Sequence, residues 1–221
     1  MIKRRLLTLA LAMVMVMTAA AFVYADEGTD EGGAPAATEE VVKADQVIKV
    51  TTEKEVVVGK TVKLDAKLVK GDGAVTFVSS DAKVAEVSAK GVVKAKGIGT
   101  ATIKVAAAET GKFAAAEVEV TVTVIPKSIT PTSLVCKKGG KLTVKWNKLK
   151  GVDGYELEYC KSKKFDKAPK TKKVKKAKTK TVTIKKLKKK TKYYVRMRTY
   201  KEVAGVKYYS KWSKPKMIKA K

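Results

Sequence analysis

Leu187–Trp212 reads LKKKTKYYVRMRTYKEVAGVKYYSKW, and its alternation decides the class of fold. In an extended strand Leu187, Tyr193, Val195, Met197 and Thr199 share one parity and lie on one face. Lys192, Tyr194, Arg196 and Arg198 take the other face, which is expected to stay wet and almost wholly cationic. Val203-Ala204-Gly205-Val206 supplies a turn, and KYYSKW starts a strand that pairs back. Such a hairpin predicts a β-sandwich for the last part of the chain.

The segments just upstream agree. Leu142, Val144 and Trp146 alternate in LTVKW, as do Tyr155, Leu157 and Tyr159 in GYELEY, with Glu156 and Glu158 outward. Val182 and Ile184 share a face in TVTIKKL. The predicted core is Leu134, Trp146, Tyr155, Leu157, Ile184, Leu187, Tyr193, Val195 and Met197.

Residues 45–126 hold a second set of short β-rich runs separated by turn signals. Val62, Leu64, Ala66 and Leu68 alternate with Lys63, Asp65 and Lys67; Val118, Val120, Val122 and Val124 alternate with Glu117, Glu119, Thr121 and Thr123. Seven half-buried strands at this spacing predict another sandwich.

Charge separates the two regions. Residues 26–126 carry 13 basic and 16 acidic side chains, whereas residues 127–221 carry 33 and 5. A boundary near Ile125-Pro126 therefore divides two electrostatic objects, which bears on partners rather than on fold. Ahead of them, residues 1–25 have the form of a secretory signal: Lys3, Arg4 and Arg5, an apolar run, then Val23-Tyr24-Ala25 as cleavage pattern. The competing expectation is an uncleaved anchor, since Leu6 to Val23 spans 18 residues. Either way the remainder is expected outside the cell. Residues 26–44 are acidic, small and poor in apolar surface, as in a disordered linker.

Val58-Gly59-Lys60-Thr61-Val62, Val75-Thr76-Phe77-Val78-Ser79-Ser80-Asp81, Gly91-Val92-Val93 and Gly97-Ile98-Gly99-Thr100-Ala101-Thr102-Ile103 resemble the bacterial immunoglobulin-like domain of group 2. Phe77 departs from it, standing where Trp is frequent. The resemblance implies a surface module or spacer rather than chemistry. Residues 127–221 are similar to a fibronectin type III domain, through Trp146, Gly154-Tyr155-Glu156-Leu157, Leu187 to Tyr193 and Tyr208 to Ser213. The resemblance implies that the Tyr193 hydroxyl ties back to backbone as a tyrosine corner. The lysine-saturated form is similar to those of secreted Gram-positive surface proteins. The fold class expected is thus all-β: two tandem immunoglobulin-like β-sandwiches after a signal peptide.

The 17 lysines between Lys161 and Lys192 face one acid, Asp166. They fit a solubilising coat or a surface that holds a polyanion, with steep salt dependence only in the second case. The candidate polyanion-binding residues are Lys161, Lys163, Lys164, Lys172, Lys173, Lys175, Lys176, Lys188, Lys189, Lys190, Arg196 and Arg198. Tyr194 with Tyr208 or Tyr209 is available for stacking on sugars or bases. Cys136 and Cys160 are the only cysteines, and their strand parities differ; a disulfide across the end of the sandwich and a pair of free thiols both stay open.

There is no histidine, so the Ser-His-Asp and Cys-His arrangements and most zinc sites are excluded. The five carboxylates of residues 127–221 lie mostly beside lysines, as on solvated strand faces. Asp65, Asp72 and Asp81 lack calcium-loop spacing. No catalytic residue, metal or cofactor is expected. The expected role is a non-catalytic, secreted, envelope-associated binding or adhesion module. Its partners would be anionic cell-wall polymers or polysaccharide, together with other surface proteins. No specific nucleic acid is expected, and the membrane is met only through an uncleaved signal segment. The chain reaches Lys221 without an LPxTG-type sorting tail, so retention is expected to be electrostatic. The alternative is an accessory or inhibitor subunit of a secreted polysaccharide-active enzyme.

Overall fold

Alternating side chains need a sheet with one dry face, and strands are what residues 42–221 form; these are the residues that the computed structural model describes. The expected signal segment and most of the acidic linker lie outside them. In chain order the first nine strands are β1 (Val47–Thr51), β2 (Glu55–Val57), β3 (Thr61–Lys63), β4 (Asp65–Lys70), β5 (Val75–Ser79), β6 (Ala85–Val87), β7 (Val92–Ala95), β8 (Gly99–Ala107) and β9 (Ala116–Ile125). They build a four-stranded sheet in the order β2-β9-β8-β5, a three-stranded sheet β3-β7-β6 and the pair β1-β4.

Seven strands were expected here and nine are found, because one predicted run, Val56 to Val69, divides into three, β2, β3 and β4. Val62 to Leu68 alternates without a break in sequence, yet β3 pairs with β7 while β4 pairs with β1. Leu64 sits between the two strands, fully buried, its N–H donating to Gly91 O at 2.8 Å. The expected parity holds all the same. Val62, Ala66 and Leu68 pack against the same apolar cluster as Leu64, and so do Val118 and Val120 beside fully buried Val122 and Val124. Each of the fully buried side chains Leu64, Val122 and Val124 contributes about 1.5–3 kcal/mol. Phe77 also joins this cluster. Gly91 has φ +72°, and a Cβ there would come within 2.9 Å of the Phe77 ring, so backbone and packing both require glycine.

The remaining strands are β10 (Ser133–Lys137), β11 (Lys141–Lys145), β12 (Gly154–Cys160), β13 (Lys170–Val174), β14 (Thr181–Ile184), β15 (Lys192–Val203), β16 (Val206–Tyr209) and β17 (Lys216–Lys219). One sheet runs β10-β11-β14; the other runs β13-β12-β15-β16, with β17 also pairing with β15. The nine residues predicted as core all belong to one apolar cluster, Leu134 at its margin. Trp146 meets Tyr155 edge-on, ring centroids 5.2 Å apart. The Tyr155 hydroxyl accepts from Leu149 N–H and donates to Ala177 O. The Tyr193 hydroxyl accepts from Lys188 N–H at 3.1 Å, the backbone tie that a tyrosine corner requires.

Candidate cationic surface and its aromatic ladder

The turn after β15 is built as its sequence demands. Ala204 (φ 48°) and Gly205 (φ 78°) are both left-handed, and Val203 pairs with Val206, which makes a two-residue hairpin. The return strand is shorter than expected. Pairing stops at Tyr209, and Ser210 to Pro215 leaves the ladder before β17 resumes it. Two buried serines cover the gap. Ser210 Oγ accepts from Thr199 N–H at 3.0 Å and Ser213 Oγ from Met197 N–H at 3.1 Å, while their own N–H groups donate to Thr199 O and Met197 O. Trp212, between them, is carried onto the outer face of β15.

That outer face departs from the cationic surface expected of it. Register sets Glu156 opposite Arg198 and Glu158 opposite Arg196. Arg196 donates through Nε and Nη2 to Glu158 Oε2 at 2.8 and 2.7 Å, and Arg198 Nε donates to Glu156 Oε2 at 2.7 Å. The guanidinium planes also stack. Arg196 lies 4.2 Å from the Phe165 ring and 4.6 Å from Trp212; Arg198 lies 4.3 Å from Trp212 and 4.0 Å from Tyr209. The resulting order is Phe165, Arg196, Trp212, Arg198, Tyr209, a cation–π ladder. Both arginines are thus held by a carboxylate and two rings, and Tyr209 is engaged with them. Tyr194 and Tyr208 are half-buried.

The lysines behave differently. Lys161, Lys163, Lys164, Lys172, Lys173, Lys175, Lys176, Lys188, Lys189 and Lys190 are all exposed, and among the described residues none has a carboxylate at ion-pair distance. The antiparallel register of β12 with β13 and β15 groups them. Lys161, Lys163 and Lys164 follow β12, and Lys188 to Lys190 precede β15, so both groups stand at one pole. Lys172 and Lys173 lie along the β13 edge, and Lys175 and Lys176 stand at the far pole. Asp166, the one acid of this stretch, accepts from Ser162 Oγ at 2.6 Å, and this bond foremost holds its carboxyl below the usual range. Sequence reasoning passed over Lys167, Lys170, Lys185 and Lys186, which line a cavity at the first pole. No periodic pattern marks them, because they belong to loops and strand ends.

Cys136 and Cys160 are both buried free thiols; Cys160 Sγ donates to Ser162 O at 3.0 Å. No bridge joins them. Cys160 shares the parity of Glu156 and Glu158, out of phase with Leu157 and Tyr159, as its sequence position implied. The loop aspartates of the first sandwich go separate ways. Asp81 Oδ1 accepts from Lys83 N–H at 2.8 Å, Asp72 Oδ1 accepts from Thr110 Oγ1 at 2.8 Å, and Asp65 lies 3.9 Å from Lys67 Nζ.

Residues 57–109 match the family model of the intimin immunoglobulin-like domain, and residues 129–216 match that of the fibronectin type III domain. The chain carries these two domains in tandem. It is all-β across its described residues, and the modules it carries are typical of binding, adhesion or spacer roles in extracellular and surface proteins. They are typically non-catalytic. No curated protein matches the chain. Among solved structures, a cytokine receptor complex is 15% identical, covering 78% of this chain and 96% of its own, with a TM-score of 0.46. A two-domain fibronectin type III segment of chicken tenascin is 17% identical, covering 78% and 98%, with a TM-score of 0.45.

Proposed function

We propose that the chain is a non-catalytic, secreted module of the cell surface. Its lysine-rich fibronectin type III domain, residues 127–221, attaches to anionic cell-wall polymer or polysaccharide. The immunoglobulin-like domain, residues 45–126 and of the group 2 type, acts as spacer or protein contact. A Gram-positive wall, dense in polyanion, is the setting this reading fits.

One observation carries it. The positive charges that serve this domain's own cohesion are matched: Arg196 and Arg198 are each set against a glutamate, Lys201 against Asp153 and Lys207 against Glu202. The ten lysines have no such partner. Like charges that neutralise nothing within the fold repel one another, and a bound polyanion relieves that repulsion while releasing its own counterions.

Purified walls provide the test. The chain is expected to sediment with untreated walls and to stay in the supernatant once wall polyanions have been stripped. Equal retention before and after stripping would remove the proposal.

A further inference from the structure

At the pole where Lys161 and Lys188 stand, a cavity of about 560 Å³ opens between the loop after β12 and the turn after β14. Its floor is aromatic and apolar: Tyr159, Tyr193 and Leu187. Its rim carries Lys161, Lys167, Lys170, Lys185 and Lys186, all exposed, and no carboxylate lines it. None of the five has an ion-pair partner among the described residues. Two lining residues, Ala168 (φ 38°) and Lys186 (φ 63°), hold left-handed backbone without being glycine. Strain of that kind persists where surrounding structure imposes it, and it gathers at ligand clamps. A second cavity on the same domain has the opposite balance, with Asp153, Glu156 and Glu202 facing Lys173, Lys175 and Lys207, and so has no net pull on an anion.

We infer that the first cavity is a subsite for an anionic sugar unit, a pyranose ring carrying a carboxylate or a phosphate. The inference rests on the polyanion-binding function proposed above and gives that surface a specific pocket. The volume lies in the range of small-ligand pockets, about 300–1,000 Å³. A sugar ring offers C–H faces to Tyr159 and Tyr193, while its anion meets ammonium groups converging from two loops. Tyr159 adds a hydroxyl whose acidity is lowered, first by burial and then by Tyr193, so it stays protonated as a donor. Lysine serves here because its point charge sits on a flexible stem and follows an anion whose position varies along a polymer.

Calorimetry of the full chain with trigalacturonate, glucose 6-phosphate and neutral maltotriose tests this. At least one of the two anions is expected to bind and maltotriose is not; the tighter anion distinguishes carboxylate from phosphate. A chain bearing Lys185→Ala with Lys186→Asn is expected to bind at least about tenfold more weakly. Asparagine tolerates the left-handed backbone at 186, so an unchanged melting temperature separates lost binding from lost folding. Lys148→Ala with Lys150→Ala removes the same charge at the far pole and is expected to change binding by less than about twofold. Equal weakening by both pairs, binding of maltotriose, or binding of neither anion overturns the subsite. Wall retention separates the two proposals. Retention without oligosaccharide binding removes the subsite alone, and oligosaccharide binding without retention removes the broader surface and keeps the subsite.

Discussion

Arg198 shows how one residue serves cohesion on this surface. Its guanidinium bonds a Glu156 side chain that is only 7% exposed, and it fills the gap between Trp212 and Tyr209. Removing it leaves a desolvated carboxylate without its ion-pair partner and opens the stack. Arg198→Ala is therefore expected to lower unfolding stability by about 2–4 kcal/mol in a denaturant titration. Arg198→Lys is expected to recover only a minor part, since an ammonium neither forks onto a carboxylate nor stacks as a plane. Asp153 supplies the pH-dependent element. The Lys201 ammonium foremost, and then Glu202 N–H, hold its carboxyl below the ordinary value of 3.8. A group whose folded pKa is depressed contributes its stability above the unfolded pKa and loses it as pH falls through the folded value. Asp153→Asn is thus expected to flatten the acid limb of the stability curve below about pH 4, leaving the neutral region unchanged in slope.

At the scale of elements, the break between β16 and β17 is held by side chains that stand in for a strand. Ser213 covers Met197 N–H, and Ser210 covers Thr199 N–H, in the buried middle of β15. Ser213→Ala is expected to cost about 1–3 kcal/mol, because it leaves a buried donor unpaired, and to speed hydrogen exchange at Met197 selectively. Parity made β12, β14 and β15 legible in sequence, down to Leu157 and Met197 on one face and the glutamates on the other. The hairpin at Ala204-Gly205 was legible through its turn chemistry. Parity does not record which sheet a strand joins, so the division at Leu64 was hidden. It also assigns Arg196 and Arg198 to water, because the glutamates opposite them are 38 and 42 positions away in sequence. Gln46 is a further case. A polar residue beside the linker, it is buried with Nε2 donating to Ala108 O and Ala114 O and Oε1 accepting from Gly73 N–H. Only tertiary structure brings those three backbone groups together. Four of the five rim lysines of the proposed anionic-sugar subsite, all but Lys161, escaped notice for the same reason: loops and strand ends, not a repeating pattern, gather them.

Taken as a whole molecule, positive charge is used in two ways that experiment separates. Arginines joined to glutamates and rings serve stability; under the proposed function, unpaired lysines serve attraction. Replacing Arg196 is expected to lower stability while leaving affinity for a polyanion within about twofold. Replacing Lys172 and Lys173 together is expected to do the reverse. The central claim, that the ammonium coat engages a polyanion, is tested most directly by the affinity of the chain for a purified anionic wall polymer across a salt series. The prediction is a linear fall of log affinity with log salt, losing roughly a hundredfold or more between about 50 and 200 mM. An affinity that stays flat across that range, or no binding at its lowest salt, would contradict it.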